Sequence, residues 1–150
     1  MALLQTGLPS CQPTDPKPAD SPTDGPAHFG SCTHTIERIY ATPSGDWGMN
    51  IQYGYNKAGR LAAMTTNFFT FAGFDPKLDD FRPTTCERDF RVTPEGEFVL
   101  LKEVIRDDKT KEVVKRSFYD PEVKHWMTLA EAQRESVKEE KERALLESHE

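Results

Sequence analysis

Few side chains in this 150-residue chain stand where a reaction would need them. Nucleophilic catalysis requires a nucleophile, a base and an orienting group in mutual reach. The serines fall mainly in the N-terminal tail, in turns and in the C-terminal helical segment, and no nucleophile-elbow glycine pattern surrounds any of them. Four histidines, His28, His34, His125 and His149, are scattered, two of them in or near the termini. His34 and His125 could meet across a folded sheet, but a hydrogen-bonded strand histidine is the plainer expectation. The neighbouring carboxylates Asp79/Asp80 and Asp107/Asp108 sit in turn-like contexts that suit solubility and turn geometry. Asp75, Asp79 and Asp80 lack the alternating oxygen spacing and turn glycine of a calcium loop. His28, Cys32 and His34 cluster without a zinc spacing, and Cys86 has no Cys or His close to it in sequence. Walker, dinucleotide-binding and His-Glu-x-x-His motifs are missing. These residues point to a non-enzymatic protein, with no metal or cofactor implied.

Composition narrows the partners. Net charge is -6 and the pI is about 5.3. An acidic surface disfavours nucleic acid, whose binding requires Lys and Arg to replace condensed counterions. It also disfavours passive docking on anionic lipid. Hydrophobic residues make up 36% of the chain and mean hydropathy is -0.68, so the core must come from the middle of the sequence. No apolar run approaches the 18 or so residues of a membrane-spanning helix.

The N-terminus reads Leu8-Pro9-Ser10-Cys11, followed by a stretch to residue 31 rich in Pro, Asp, Ser and Thr. Such a stretch cannot bury a core and forms an extended linker. Leu8-Pro9-Ser10-Cys11 resembles the lipobox of bacterial lipoproteins, although Pro9 is atypical and no apolar leader segment precedes it. The resemblance implies a start further upstream or a trimmed leader, a thioether lipid on Cys11, and residence in the bacterial cell envelope, periplasmic or outer-membrane. Gln12 in second place is compatible with outer-membrane sorting. Acyl chains contribute about 0.8 kcal/mol per buried methylene, so the membrane would be met only through this anchor. A cytoplasmic protein with a disordered N-terminus is the alternative.

With Cys11 set aside, Cys32 and Cys86 form an even pair, and export would favour a disulfide between them. Closing a loop of about 55 residues would stabilise the fold by about 4 kcal/mol in the chain-entropy model. Two free, buried thiols are the cytosolic alternative.

The elements that must carry any site are mostly strands. In Trp47–Tyr55 every odd position is large and apolar or aromatic, and every even position is small or polar. That period of two marks a strand with one buried face. Thr33–Tyr40 precedes it. Asn56-Lys-Ala-Gly59 makes a hairpin turn, and Arg60–Phe71 returns as a long strand. The segment Tyr53-Gly-Tyr-Asn-Lys-Ala-Gly-Arg-Leu61 resembles one hairpin unit of the YD (RHS-type) repeat family, with Asn56 at the usual Asp. A single copy cannot bury the faces of a repeat architecture, so the likeness implies a shared hairpin and nothing larger. Phe74–Pro83, with two prolines and three acids, reads as an exposed loop that breaks the sheet. Cys86–Val92, Phe98–Ile105 and Glu112–Tyr119 follow as strands, the second apolar on both sides as a central strand would be. Thr93-Pro-Glu-Gly96 and Asp107–Thr110 are the turns between them.

The fold class is therefore mainly β (α+β): an antiparallel meander of about six strands, as a bent sheet, a sandwich or a small barrel. Thr128 and Glu131 have capping-box spacing and open a charged helix toward Glu147. Its apolar positions do not sustain a heptad stripe, so a monomer is expected. The chain divides into a leader remnant and linker (1–31), a β domain (32–127) and the helix (128–150). Aromatic side chains offer the best functional lead. Phe69, Phe71 and Phe74 border the proline-containing break and are the candidate binding patch, for a protein or a small apolar ligand. The leading expectation is a small exported, lipid-anchored, non-enzymatic β domain with a binding or structural role; a barrel-like carrier of a small apolar ligand and an intracellular interaction domain are the alternative functions.

Overall fold

A computed structural model describes Phe29 and residues 32–148. Five strands follow in chain order: β1 (His34–Ala41), β2 (Trp47–Tyr55), β3 (Leu61–Asp75), β4 (Asp80–Val92) and β5 (Phe98–Asp107). They form one antiparallel sheet in the order β1-β2-β3-β4-β5, a meander that leaves β1 and β5 at its edges. One helix, α1 (Leu129–Ser148), ends the described chain. The sheet is open, which settles the choice among bent sheet, sandwich and barrel.

The alternation in β2 sets the faces. Met49, Ile51, Tyr53 and Tyr55 are buried on the inner face, and their partners continue the rows across the sheet. Tyr40, Met49, Phe68 and Cys86 form one such row, and Ile36, Tyr53, Met64 and Phe90 form another. Hairpin turns hold the register. At β2–β3 the Asn56 side chain accepts from Ala58 N and Arg60 N, and Gly59 takes a φ of 77° that L side chains resist.

Two expectations about strands change. Residues 74–83 do not break the sheet. Beyond a bulge between Thr70 and Gly73, β3 and β4 continue side by side, pairing Phe74 with Phe81 and Asp75 with Asp80. The turn is only Pro76–Asp79, initiated by Asp75, whose carboxylate accepts from Lys77 N and Leu78 N. Proline is tolerated here because Pro76 stands in the turn and Pro83 beside the bulge. The segment Glu112–Tyr119 is not a sixth strand. It touches β5 through the bridge Arg106–Val113 and β3 through Phe74–Ser117. From there residues 112–128 run as an irregular strap over the inner face to the β2–β3 turn, where Leu61 N donates to Met127 O and Leu129 N to Gly59 O.

The strap, rather than a second sheet, completes the core. Trp126 and Ala132 are buried, and Phe118, Val123, Met127 and Leu129 pack against the inner-face residues. Its passage is fixed by Arg116, a nearly inaccessible cation. Arg116 donates to Asp75 and Asp107, to Thr84 Oγ1 and to Pro83 O, so its donors meet two carboxylates and two neutral acceptors. The Arg116 guanidinium, with backbone N–H groups of the turn, lowers the Asp75 carboxyl. The Thr110 N–H, then Arg116, lowers Asp107 to about 2. Helix α1 starts as its spacing predicts. Thr128 Oγ1 accepts from Glu131 N, and the Glu131 carboxylate reaches back to Met127 N, one residue before the cap.

Candidate functional site: an aromatic patch and a strapped aromatic cluster

Phe69 and Phe71 meet edge to face at 4.7 Å, and Phe74 and Phe81 at 5.3 Å. Phe74 and Phe81 are a cross-strand pair on the outer face, the side opposite Asp75 and the strap. Phe71, Phe81 and Leu78 are each more than half exposed. Of the three expected patch residues, Phe71 is therefore open to solvent, while Phe69 and Phe74 are half-buried by their partners. Phe81 and Leu78 complete the patch and were missed, because residues 74–83 read as loop. Their signal was available: Phe74 and Phe81 are symmetric about the Pro76–Asp79 turn, which is where a hairpin places a cross-strand pair. Lys77, Asp79, Asp80 and Arg82 surround the hairpin tip, and Asp80 pairs with Arg82 at 3.3 Å. The patch is thus an apolar surface within a mixed-charge rim.

The cysteine expectation is overturned. Cys86 is a free, buried thiol on the inner face, opposite Phe68 and Ile105, and burial pushes it up to about 11. Cys32 lies on the other side of the sheet. A methyl group at Gly54, which faces outward between Tyr53 and Tyr55, would come within 2.6 Å of Cys32 Sγ. The intervening strand β3 and the thickness of the sheet separate the two sulfurs, so the Cys32–Cys86 disulfide is not made. Cys11, the expected lipidation site, lies outside the described residues.

The inner face holds a second constellation that sequence reasoning did not assemble. The Arg38 guanidinium lies 4.1 Å from the Trp126 ring and 4.5 Å from that of Tyr40, and donates to Lys124 O. Glu139 of α1 approaches Arg38 Nε at 3.4 Å. Tyr53 Oη and His125 Nδ1 lie 3.1 Å apart, and Tyr55 Oη donates to Trp126 O. Burial raises Tyr53 to about 12 and raises Tyr55 further, so both are neutral hydroxyls under ordinary conditions. His125 and His34 do not form a pair: His125 bonds Tyr53, and His34 bonds Thr33. The arrangement is a cation held among rings, closed by the strap. Among the described residues no group of His, Cys, Asp or Glu is gathered to hold a metal ion.

The fold and these two features define a strap-closed, five-stranded antiparallel meander. No family model, curated protein or solved structure matches the chain.

Proposed function

We propose that this chain is a non-enzymatic binding domain of the bacterial cell envelope, held to the membrane by a lipid on Cys11 and engaging its partner through the outer-face aromatic patch. The patch carries the reading. Phe71, Phe81 and Leu78 stay exposed on a well-registered hairpin, although the fold has an inner face on which apolar side chains could be buried. Rings fixed edge to face by strand pairing lose little entropy on binding. The lipobox-like Leu8–Cys11 and the Pro-rich stretch behind it supply the anchor and the tether. Export no longer draws support from a Cys32–Cys86 bridge.

A carrier of a small apolar ligand fits less well. The space between sheet and strap is occupied by rings: Tyr53 meets Tyr55 and Trp126, and Phe68 meets Phe118. Intact-mass measurement of the protein from its own host tests the anchor. A diacyl or triacyl addition at Cys11 supports it, and a Cys11 that is unmodified or oxidised to another thiol overturns it. Partner binding is tested by the double variant Phe71→Ser/Phe81→Ser. Loss of in-cell crosslinks formed by the wild type supports the patch, and an unchanged crosslink pattern removes it.

A further inference from the structure

We propose that residues 123–127 of the strap are a proton-sensitive latch, closed on the sheet by neutral His125 and loosened when His125 takes up a proton. The geometry places His125 at the point where the strap meets three strands. Its Nδ1 is 3.1 Å from Tyr53 Oη on β2. Its ring lies edge-on to Tyr53 at 5.9 Å and tilted against Phe98 of β5 at 5.2 Å. The Arg38 guanidinium of β1 faces the same cluster, stacked on the neighbouring Trp126.

A proton on His125 would therefore create a second cation beside Arg38 in a largely dry, ring-lined space. On α1, Glu139 is engaged by Arg38 and the Glu131 carboxylate by the backbone N–H of Met127, with Glu135 half-buried one turn from each. On the strap itself, Lys124 adds a further positive charge, while Glu122 is exposed. The phenol hydroxyls of Tyr40, Tyr53 and Tyr55 are neutral and supply no counter-charge. Tyr53 could accept a hydrogen bond from an imidazolium, but it cannot neutralise one.

Burial first, and the Arg38 charge second, hold His125 below its ordinary value of 6.5. The sign follows. A histidine depressed in the closed form favours closure above its free value and loses that contribution as pH falls through the interval below 6.5. What opens is the end of the strap, and what it uncovers is the ring surface of Tyr53, Tyr55 and Trp126.

The test is made on the full chain. In NMR titration the His125 ring of the wild type should show a midpoint below 6.5, moving upward in Arg38→Met. Hydrogen exchange across 123–127, corrected for intrinsic rate, should accelerate between pH 7.5 and 5.0, and His125→Gln should at least halve that acceleration. If His125→Gln does not fold, the wild-type and Arg38→Met titrations decide alone. A His125 midpoint at or above 6.5, or an acceleration at 123–127 that persists unchanged in His125→Gln, overturns the latch.

Discussion

Arg116 shows how one side chain can decide a path for the backbone. Its guanidinium joins the strap to Asp75 at the end of β3, to Thr84 on β4 and to Asp107 at the end of β5. A buried ion network is weak evidence for net stability, but removing one partner is costly, because the charges left behind have no water to return to. Arg116→Met should therefore destabilise the protein by about 3 kcal/mol at pH 7. The loss should shrink in acid. Asp75 and Asp107 have folded values below the ordinary 3.8, so their stabilising contribution is present above that value and is lost as pH falls toward about 2. Urea denaturation of wild type and variant at pH 7 and pH 2.5 would show this. A gap that stays constant with pH would mean that packing, not charge, dominates.

Gly54 makes the opposite kind of decision, by having no side chain. Phe29 and Cys32 close over it on the outer face, beside Ala63, so that Phe29 is buried. The Gly54→Ala methyl group would overlap Cys32 Sγ. It should cost about 1–3 kcal/mol in urea denaturation, as overpacking does elsewhere. A change below about 0.5 kcal/mol would mean that the Phe29–Cys32 segment moves aside freely. The alternation of Trp47–Tyr55 identified Gly54 as an outward position. It could not show that residues before β1 would return to cover it.

At the scale of elements, β2 and α1 were legible because their signals are local. A period of two over nine residues, and a Thr-x-x-Glu start, each specify a backbone without reference to distant chain. β5 was misread for the converse reason. Phe98–Ile105 is apolar on both sides, yet the strand ends the sheet order, and Phe98, Leu100 and Leu101 are exposed. Edge position is set by which strand pairs with which, and no single strand's composition records it. The strap was misread as a strand because Val113, Val114, Phe118 and Tyr119 have β-forming side chains. Their place is set by the Arg116 network and by the ring contact of Phe118 with Phe68.

The helix divides into a working half and a solvated half. Ala132 is its buried residue, Glu139 reaches Arg38, and every residue from Glu140 to Ser148 is exposed. Deleting the chain from Glu140 onward should therefore lower the far-ultraviolet helical signal while changing unfolding free energy by less than about 0.5 kcal/mol. Thr128→Ala, which removes the cap, should cost about 1 kcal/mol in the same assay. A truncation that destabilises more than the cap variant would mean that the outer half of α1 packs on something.

For the whole molecule, the sheet has two unlike faces. The inner one is closed by the strap and the start of α1. The outer one is covered by Phe29 near Gly54 and left apolar at the β3–β4 hairpin. Exposed rings are separable from rings that hold a core. Phe71→Ser/Phe81→Ser should leave unfolding free energy within about 1 kcal/mol of wild type, two surface changes of about 0.5 each. The same variant should reduce fluorescence of the apolar-surface dye ANS. Destabilisation by several kcal/mol would place these rings in the core.

Local patterns in the chain determined an antiparallel meander, most of its hairpin turns, the start of the helix and the acidic character of the molecule. Period, turn chemistry and charge act between residues close in sequence, so they can be read without the fold. Tertiary structure alone decided that the sheet stays open and that residues 112–128 cross it instead of joining it. It also placed Cys32 and Cys86 on opposite faces, and brought Arg38, Tyr53, His125 and Trp126 into one cluster. Each of those outcomes joins groups from distant parts of the chain, whose affinity for one another depends on burial and charge pairing that exist only once the strands have assembled.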